Sequence, residues 1–403
     1  MERAASQAPG EAAAGSRASP MRWHRAVATG LALLFVIYIG YACWRNYADP
    51  PGVDFVSFWA AATMALDGQA GLAYDVAAHR AVELTVGKVD GVLPFPYPPP
   101  YLFFVLPFGL LPFWLAFALW VSITGALYVL AARPVAPLPY SLVNPAALPC
   151  ALIGQNGLLM TAIFIRGTTF LHSRPFTGGL LLGLLVVKPQ LALLLPVALL
   201  AGREWRAIAG AAASSMGLLL LALAAFGWEA YQGFIDILPR YAGFLRGSQW
   251  PWNELASPFA LFRFLGLPQG SALLLHAAIA AGAAAVTWRS WAIRSDHRIA
   301  VLATATVLVP PYLFTYDALL LIVPLCLFIR EERRLLSAAV WLFCLLPIAS
   351  YTPAYSGPNT TMIAALLSLW GLHFRPEQGE RRLKPWALVG RGDGGDGRRS
   401  LPR

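Results

Sequence analysis

Charged residues are scarce in this sequence. Asp, Glu, Lys and Arg make up 12% of its 403 residues, against about 25% in a typical soluble domain, while 58% are hydrophobic. So few polar residues cannot cover a soluble core of that size, whereas a bilayer acts as solvent for the outer faces of apolar helices. Backbone groups inside a bilayer must be bonded internally, which leaves helices or a closed barrel. The apolar runs are long and do not alternate, which excludes the barrel. The composition therefore predicts an all-α, polytopic membrane protein.

Motifs for metals and disulfides are also missing. The few cysteines all lie inside apolar runs and show no metal or disulfide spacing: Cys43, Cys150, Cys326 and Cys344. The histidines have no ligand spacing, and no Asp-x-Asp or Asp-Glu pair occurs between residues 45 and 100. We therefore expect no metal site and no cofactor.

The net charge of +10 does not indicate nucleic-acid binding, because the bases form no dense cluster. They recur at the ends of apolar runs, which is the positive-inside pattern of cytoplasmic loops. We expect about twelve transmembrane helices in the cell (inner) membrane, with both termini cytoplasmic. The expected parts are a disordered tail over 1–25, a membrane domain over 26–374 and a basic tail over 375–403.

Two segments are predicted to be external loops. Residues 45–100 hold six acids and only three bases. Within them, Phe55–Leu66 and Val76–Val86 have short helical patterns that would lie along the membrane surface, and Asp75 is placed to cap the second. Residues 227–257 form the other loop, which is dense in aromatic residues.

Several spans have alternatives. The run 26–43 follows a long tail and precedes a poor cleavage context, so an uncleaved span is favoured over a signal peptide. The run 102–132 is either one kinked span or two short helices broken near Pro112. We favour one span there and two in 138–172. Lys188-Pro189-Gln190 interrupts 176–200 and predicts two short helices. Further spans are expected near 207–226, 270–290, 298–314, 316–330, 333–349 and 359–373.

Polar residues interrupt these helices on one side of the predicted topology. They are Asp54, Gln155, Asn156, Lys188 and Asp317. A polar group at membrane depth is costly and therefore indicates a functional site. Lys188 is the sole lysine between Lys88 and Lys384, and it directly precedes a proline.

Six strings of residues follow one another along the sequence. They are Asp54-Phe55-x-x-Phe58-Trp59-x-Ala61-Ala62 with Gly68 and Tyr74-Asp75; Tyr97-Pro98-Pro99 with Leu111-Pro112 and Trp120; Gly154-Gln155-Asn156; Lys188-Pro189-Gln190; Ser257-Pro258-Phe259-Ala260-Leu261-Phe262-Arg263-x-x-Gly266; and Tyr316-Asp317. In this order the strings resemble glycosyltransferase family 87. The resemblance implies a GT-C fold with a large first external loop. It also implies transfer of a hexose, mannose-like, from a polyprenyl-phosphate sugar to a lipid or glycan acceptor at the periplasmic face.

The resemblance also implies that the acid of the first loop, here Asp54, is the general base. Such a base takes the proton of the acceptor hydroxyl as that oxygen attacks the anomeric carbon. The alternative for Asp54 is an N-cap or an interfacial acid. Lys188 is the first candidate to hold the phosphate, or it is a lysine that snorkels from a helix end.

The remaining candidate substrate-binding residues carry alternatives of their own. Asp317 either orients Lys188, binds a sugar hydroxyl or caps a helix. Gln155 and Asn156 either bind sugar hydroxyls or cap a half-helix. Arg263, Arg240 and Arg246 are candidates to meet phosphate or lipid headgroups, with interfacial anchoring as the alternative. The matching strings add Trp59, Tyr97, Gln190 and Tyr316.

A secondary transporter or a lipid flippase is the rival function, because broken helices and a buried Lys and Asp also suit a transport site. Two features favour the enzyme. The halves of the sequence show no internal repeat, and the polar residues gather at one face instead of the midplane. The expected partners are membrane lipid, the donor and the acceptor.

Overall fold

The structure, a computed structural model, describes residues 52–87, 93–136, 140–141, 144–244, 252–347 and 357–373. In these ranges the regular structure is helical, and the one β feature is an isolated antiparallel bridge between Leu255 and Phe314. The all-α prediction is therefore confirmed for the described residues. The predicted tails and the first span over 26–43 lie outside them.

The helices of the described residues fall into three groups along the chain. The first group is α1 Val53–Leu66, α2 Val76–Glu83, α3 Leu102–Gly109, α4 Phe113–Ala132, α5 Ala147–Ile153 and α6 Gly157–Phe170. The second group is α7 Pro175–Gly183, α8 Pro189–Ala192, α9 Leu195–Ala201, α10 Trp205–Phe244 and α11 Pro258–Phe264. The last group is α12 Gln269–Ala292, α13 Arg298–Leu308, α14 Ile322–Arg330, α15 Arg334–Leu345 and α16 Thr361–His373. Short 3₁₀ segments are Ala70–Tyr74, Pro99–Tyr101, Leu184–Val187 and Thr315–Leu321.

Three of the described helices are long and apolar enough to cross a membrane: Phe113–Ala132, Trp205–Gly243 and Gln269–Ala292. Many of their large side chains, such as Trp114 and Leu220, are exposed, which suits contact with lipid. Gly227 divides the longest of the three, because its φ of 77° and ψ of 172° are not helical. The chain is thus a membrane protein of shorter and longer apolar helices.

The run 102–132 is broken near Pro112, as one alternative predicted, and it holds one helix of spanning length, as the favoured single span predicted. Helix α3 ends at Gly109, and α4 begins directly after Pro112, whose ψ of 141° is extended. Proline has no backbone N–H to donate and suits the start of a helix better than its interior. The 31-residue apolar run therefore holds a short helix and one full-length helix.

The two full spans predicted over 138–172 are not observed in the described part of that segment. Helix α5 has 7 residues and α6 has 14. At 1.5 Å of rise per residue, α5 spans only about 10 Å of the roughly 30 Å hydrocarbon core. Gly154, between them, has a φ of 77° and lets the chain turn. The apolar composition predicted the helices, but the turn at Gly154 shortened them.

The predicted interruption at Lys188 is confirmed. A 3₁₀ turn ends at Val187, Lys188 takes a non-helical conformation, and α8 starts at Pro189. The predicted short helices of the first loop are also present, as α1 and α2. The Asp75 carboxylate caps α2 by accepting hydrogen bonds from the backbone N–H groups of Ala77 and Ala78.

Contacts between loops bring several basic residues close together. Arg298 pairs with Glu204 at 3.5 Å, and His297 lies 3.9 Å from Glu331. Arg330, next to Glu331, donates to the carbonyl of Pro134 at 3.2 Å. We call this region, with the loops around 134, 204, 297 and 331, the basic face.

Aromatic side chains pack α1 against α3 and α4. Phe55, which is fully buried, has its ring centroid 6.3 Å from Phe108, 5.9 Å from Phe113 and 5.8 Å from Trp120. Rings of this kind bury large apolar areas in tilted or edge-to-face contacts. This packing fixes the amino-terminal end of α1, and with it the position of Asp54.

Candidate functional site

The site begins where the start of α1 meets the turn between α5 and α6. The backbone N–H of Gly52 donates to the carbonyl of Leu152 at 2.7 Å. A Cβ at Gly154 would lie 2.5 Å from the Cβ of Phe55, so only glycine permits this approach. The indole N–H of Trp120 donates to the carbonyl of Gly154 at 2.9 Å and holds the turn in place. The contact brings Asp54 beside Gln155.

Asp54 is hydrogen-bonded to the side chain of Gln155. The amide nitrogen of Gln155 donates to Oδ2 of Asp54 at 2.8 Å. The amide oxygen of Gln155 in turn accepts from the Tyr97 hydroxyl at 3.2 Å and from the backbone N–H of Asn156 at 3.3 Å. Tyr97 is buried and stacks on Tyr101 with 4.3 Å between ring centroids. The Gln155 amide is thereby oriented with its N–H₂ group toward the carboxylate.

Lys188 lies on the other side of this turn, next to Asn156. Its Nζ donates to Oδ1 of Asn156 at 2.9 Å and to Oδ1 of Asp317 at 2.5 Å. The same ammonium is 4.9 Å from the centre of the Tyr316 ring, a cation–π contact. Asn156, Lys188 and Asp317 are exposed by 0%, 2% and 2%, so the ion pair is enclosed by protein. Asp317 is therefore the ion-pair partner of Lys188, and its side chain caps no helix.

A second close approach brings Asp317 to this position. A Cβ at Gly157 would lie 2.6 Å from the carbonyl oxygen of Tyr316, so the start of α6 and the segment of Tyr316 are in direct backbone contact. Asp54, Gln155, Asn156, Lys188 and Asp317 thus form one hydrogen-bonded series, which we call the polar chain. The sequence placed these residues at one depth, and the structure joins them.

The electrostatic setting of Asp54 suits a base. Burial by the surrounding protein raises the pKa of its carboxyl to about 6, while the Gln155 hydrogen bond and the Lys188 charge act in the opposite direction. A carboxylate with such a pKa is largely ionised at neutral pH and accepts a proton more readily than an exposed aspartate.

Glu254 is a second acid of the site. Burial raises its pKa to about 7, and the negative charge of nearby Asp54 adds to the effect. Its backbone is fixed to the segment that carries Asp317, because its carbonyl accepts from the N–H of Thr315 at 3.3 Å and from the Thr315 hydroxyl at 3.1 Å. The bridge between Leu255 and Phe314 extends this contact.

Glu254 was not among the residues that the sequence predicted for the site. One signal was present, because Glu254 is the only acid between Asp236 and Asp296 and directly precedes the string around Ser257. Its proximity to Asp54, 200 residues earlier in the sequence, depends on loop packing that no sequence pattern shows.

Other candidate residues lie apart from the polar chain. The Trp59 indole donates to the carbonyl of Leu111 at 2.9 Å and so ties α1 to the turn after α3. Arg263 donates to the carbonyl of Leu267 at 2.8 Å and lies 5.3 Å over the Trp252 ring. Gln190 is partly buried, Arg240 is exposed, and neither contacts the polar chain among the described residues. Arg246 lies outside those residues.

The comparisons with known proteins agree with the resemblance seen in the sequence. The family model described as Glycosyltransferase family 87 matches residues 95–324, which is more than half of the chain. No curated protein and no solved structure matches this chain. The matched range includes most of the polar chain and Glu254, whereas Asp54 lies before it.

Proposed function

Because the chain belongs to glycosyltransferase family 87, and is thus a membrane glycosyltransferase, we propose that Asp54 is its general base. The observation that carries this proposal is the 2.8 Å hydrogen bond from Gln155, which orients a partly buried carboxylate of raised pKa. An acid that only capped a helix would use its side chain on the first-turn N–H groups, but α1 has no side-chain cap.

The proposed reaction transfers a hexose, mannose-like, from a polyprenyl-phosphate sugar to a hydroxyl of a lipid or glycan. The acceptor oxygen forms a bond to the anomeric carbon while the bond between that carbon and the phosphate oxygen breaks. Asp54 takes the hydroxyl proton, and polyprenyl phosphate leaves with the bonding electron pair. Such positioned proton transfer contributes about 10²–10⁴-fold to rate.

Lys188 is the proposed source of positive charge for the leaving phosphate. An ammonium has three donors, and in this structure Asp317 and Asn156 take two of them. We assign the third to a phosphate oxygen, which requires the residues that enclose Lys188 to move apart when the donor binds. Asp317 and Asn156 then serve as positioning residues, because they fix the ammonium on the side of the turn opposite Gln155.

The setting of this reaction follows the positive-inside pattern. The basic face is assigned to the cytoplasm, which puts the polar chain toward the periplasm. We propose a GT-C-like arrangement with about twelve spans and both termini cytoplasmic, in the inner membrane. Family membership supports the transferase over the transporter or flippase, because a buried Lys–Asp pair suits either class but the family is defined by sugar transfer.

The test is a transfer assay with the purified protein in detergent or nanodiscs. A labelled polyprenyl-phosphate mannose is incubated with extracted membrane lipids and glycans as acceptors, and products are identified by mass spectrometry. We expect a labelled product with the unchanged protein and a loss of about 10²–10⁴-fold in Asp54→Asn. Asp67→Asn is the matched control, since Asp67 is an exposed acid directly after the same helix. Full activity in Asp54→Asn would refute the proposed base.

A further inference from the structure

A second polar feature lies at the basic face, away from the polar chain. It is an open cavity of about 360 Å³ between the starts of α7 and α10. Its lining consists of Ser173, Arg174, Pro175, Phe176, Thr177 and Arg206. We call it the arginine pocket. None of its residues takes part in the proposed sugar transfer, so its charge needs another explanation.

The pocket exists because α7 and α10 cross at very close range. A Cβ at Gly179 would lie 2.0 Å from the carbonyl oxygen of Ala207, and one at Gly210 would lie 2.2 Å from that of Phe176. Small residues at a helix crossing in a membrane let the two backbones touch. The crossing lies within about one and a half helical turns of both helix starts, so it fixes Arg174 and Arg206 on either side of one concavity.

The charge in this pocket is not neutralised by the protein. Among the described residues, neither Arg174 nor Arg206 has an acidic partner, and both are exposed. The nearest acid in the sequence, Glu204, is paired with Arg298 at 3.5 Å. Two guanidinium groups on a rigid frame, without a carboxylate, make a site that attracts an anion.

The other lining groups suit a phosphate. Ser173 and Thr177 supply hydroxyls, and α7 starts at Pro175, so its first-turn N–H groups have no acceptor within the helix. Exposed aromatic rings border the pocket, since Phe176 is 47% and Trp205 is 62% exposed. Aromatic rings at this level are typical of the membrane interface, where a headgroup continues into acyl chains.

We propose that the arginine pocket binds the phosphate headgroup of an anionic phospholipid in the cytoplasmic leaflet. Basic pockets between helices on the cytoplasmic side are a known means of holding such headgroups. The acyl chains would then run along the exposed apolar faces of α7 and α10. The lipid would bind the same two helices that the glycine crossing joins and would reinforce that crossing from the membrane side.

The experiment is native mass spectrometry of the full chain in detergent, titrated with phosphatidylglycerol or with phosphatidylcholine. We expect bound phosphatidylglycerol at lower concentration than phosphatidylcholine, and at least a fivefold loss of that preference in Arg174→Gln/Arg206→Gln. Arg294→Gln is the control, because Arg294 is an exposed arginine outside the pocket. Equal lipid binding by the double variant and the control would overturn the proposal.

Two further experiments test the proposal. In the first, inorganic phosphate is added as a competitor of the lipid. Displacement of the lipid at micromolar phosphate would identify a soluble anion as the ligand and refute the lipid assignment. If the double variant does not fold, the unchanged protein is labelled with a photoreactive phosphatidylglycerol. Cross-links to residues 173–177 or around 206 would support the pocket, and labelling confined to other peptides would contradict it.

Discussion

Lys188 and Asp317 are 129 residues apart in the sequence, yet their side chains form an enclosed ion pair with 2.5 Å between Nζ and Oδ1. Taking two charges out of water is costly, and removal of one partner leaves the other unpaired. Because Lys188 also donates to Asn156, whose neighbour Gln155 holds Asp54, the pair connects the 3₁₀ segment of Asp317 to the start of α1.

The first prediction concerns the stability of this pair. Lys188→Met and Asp317→Asn should each lower stability by about 3–5 kcal/mol, since each leaves a buried charge without its partner. The double variant Lys188→Met/Asp317→Asn should lose less than the sum of the two. The measurement is the thermal unfolding temperature in detergent for all three variants. Strictly additive losses would show that the two charges do not interact.

The second prediction concerns the turn that places Gln155. Gly154→Ala should destabilise the protein, because φ at this position is 77° and the added Cβ would lie 2.5 Å from Phe55. Strain of this kind costs about 1–3 kcal/mol, and it should also displace Asp54 and reduce transfer activity. Gly125→Ala is the control, because no neighbouring atom lies within 4 Å of its Cβ position. An equally stable and active Gly154→Ala would contradict the geometry of this contact.

The third prediction concerns pH. A general base works only when it is deprotonated, and burial raises the pKa of Asp54 to about 6. Activity should therefore be present above this value and be lost as the pH falls through it. The measurement is kcat/KM for the donor between pH 5 and 8. An acid limb near pH 4, the range of an exposed aspartate, would speak against a buried base.

Much of the fold was predictable because hydropathy, proline and loop charge are local properties of the sequence. The break at Lys188, the short helices of the first loop and the Asp75 cap were predicted in this way. The helix lengths in 102–170 were not predicted, since a run of apolar residues does not show that α3 has only 8 residues or that α5 has only 7.

The candidate site was predictable as a set of residues but not as a network. Polar side chains in apolar runs marked Gln155, Asn156, Lys188 and Asp317, since such residues are costly in a membrane. Which of them would touch depends on backbone contacts at Gly154 and Gly157. Arg263 and Trp59 belong to matching strings, yet their polar groups bond to nearby backbone carbonyls. A string match alone does not distinguish residues of the polar chain from residues that only bond to backbone carbonyls.

The fourth prediction tests how Gln155 acts on Asp54. Its hydrogen bond favours the ionised carboxylate and so lowers the pKa against the effect of burial. In Gln155→Ala that bond is lost, the pKa should rise further, and the acid limb of activity should move to higher pH. Gln69→Ala is the control, because Gln69 is exposed and has no hydrogen bond to Asp54 in the described structure. A uniform loss of activity at every pH, without a moved limb, would assign Gln155 a merely structural role.

The last prediction concerns Glu254. Burial and the negative charge of Asp54 raise the pKa of its carboxyl to about 7. Below that value Glu254 is neutral, and above it a second negative charge appears beside Asp54 and the leaving phosphate. Like charges repel, so KM for the polyprenyl-phosphate donor should rise as the pH passes from 6 to 8. In Glu254→Gln the side chain stays neutral, and this rise should disappear while the acid limb of Asp54 remains.

Glu229→Gln is the control for that measurement, since Glu229 is an exposed acid on α10, beyond Gly227. It should keep the pH dependence of KM that the unchanged protein shows. If Glu254→Gln keeps it too, the carboxylate of Glu254 does not act on the bound phosphate. If kcat falls without any change in the pH dependence, the Glu254 side chain contributes to turnover by a route other than its charge, because its backbone contact with Thr315 is unchanged in this variant.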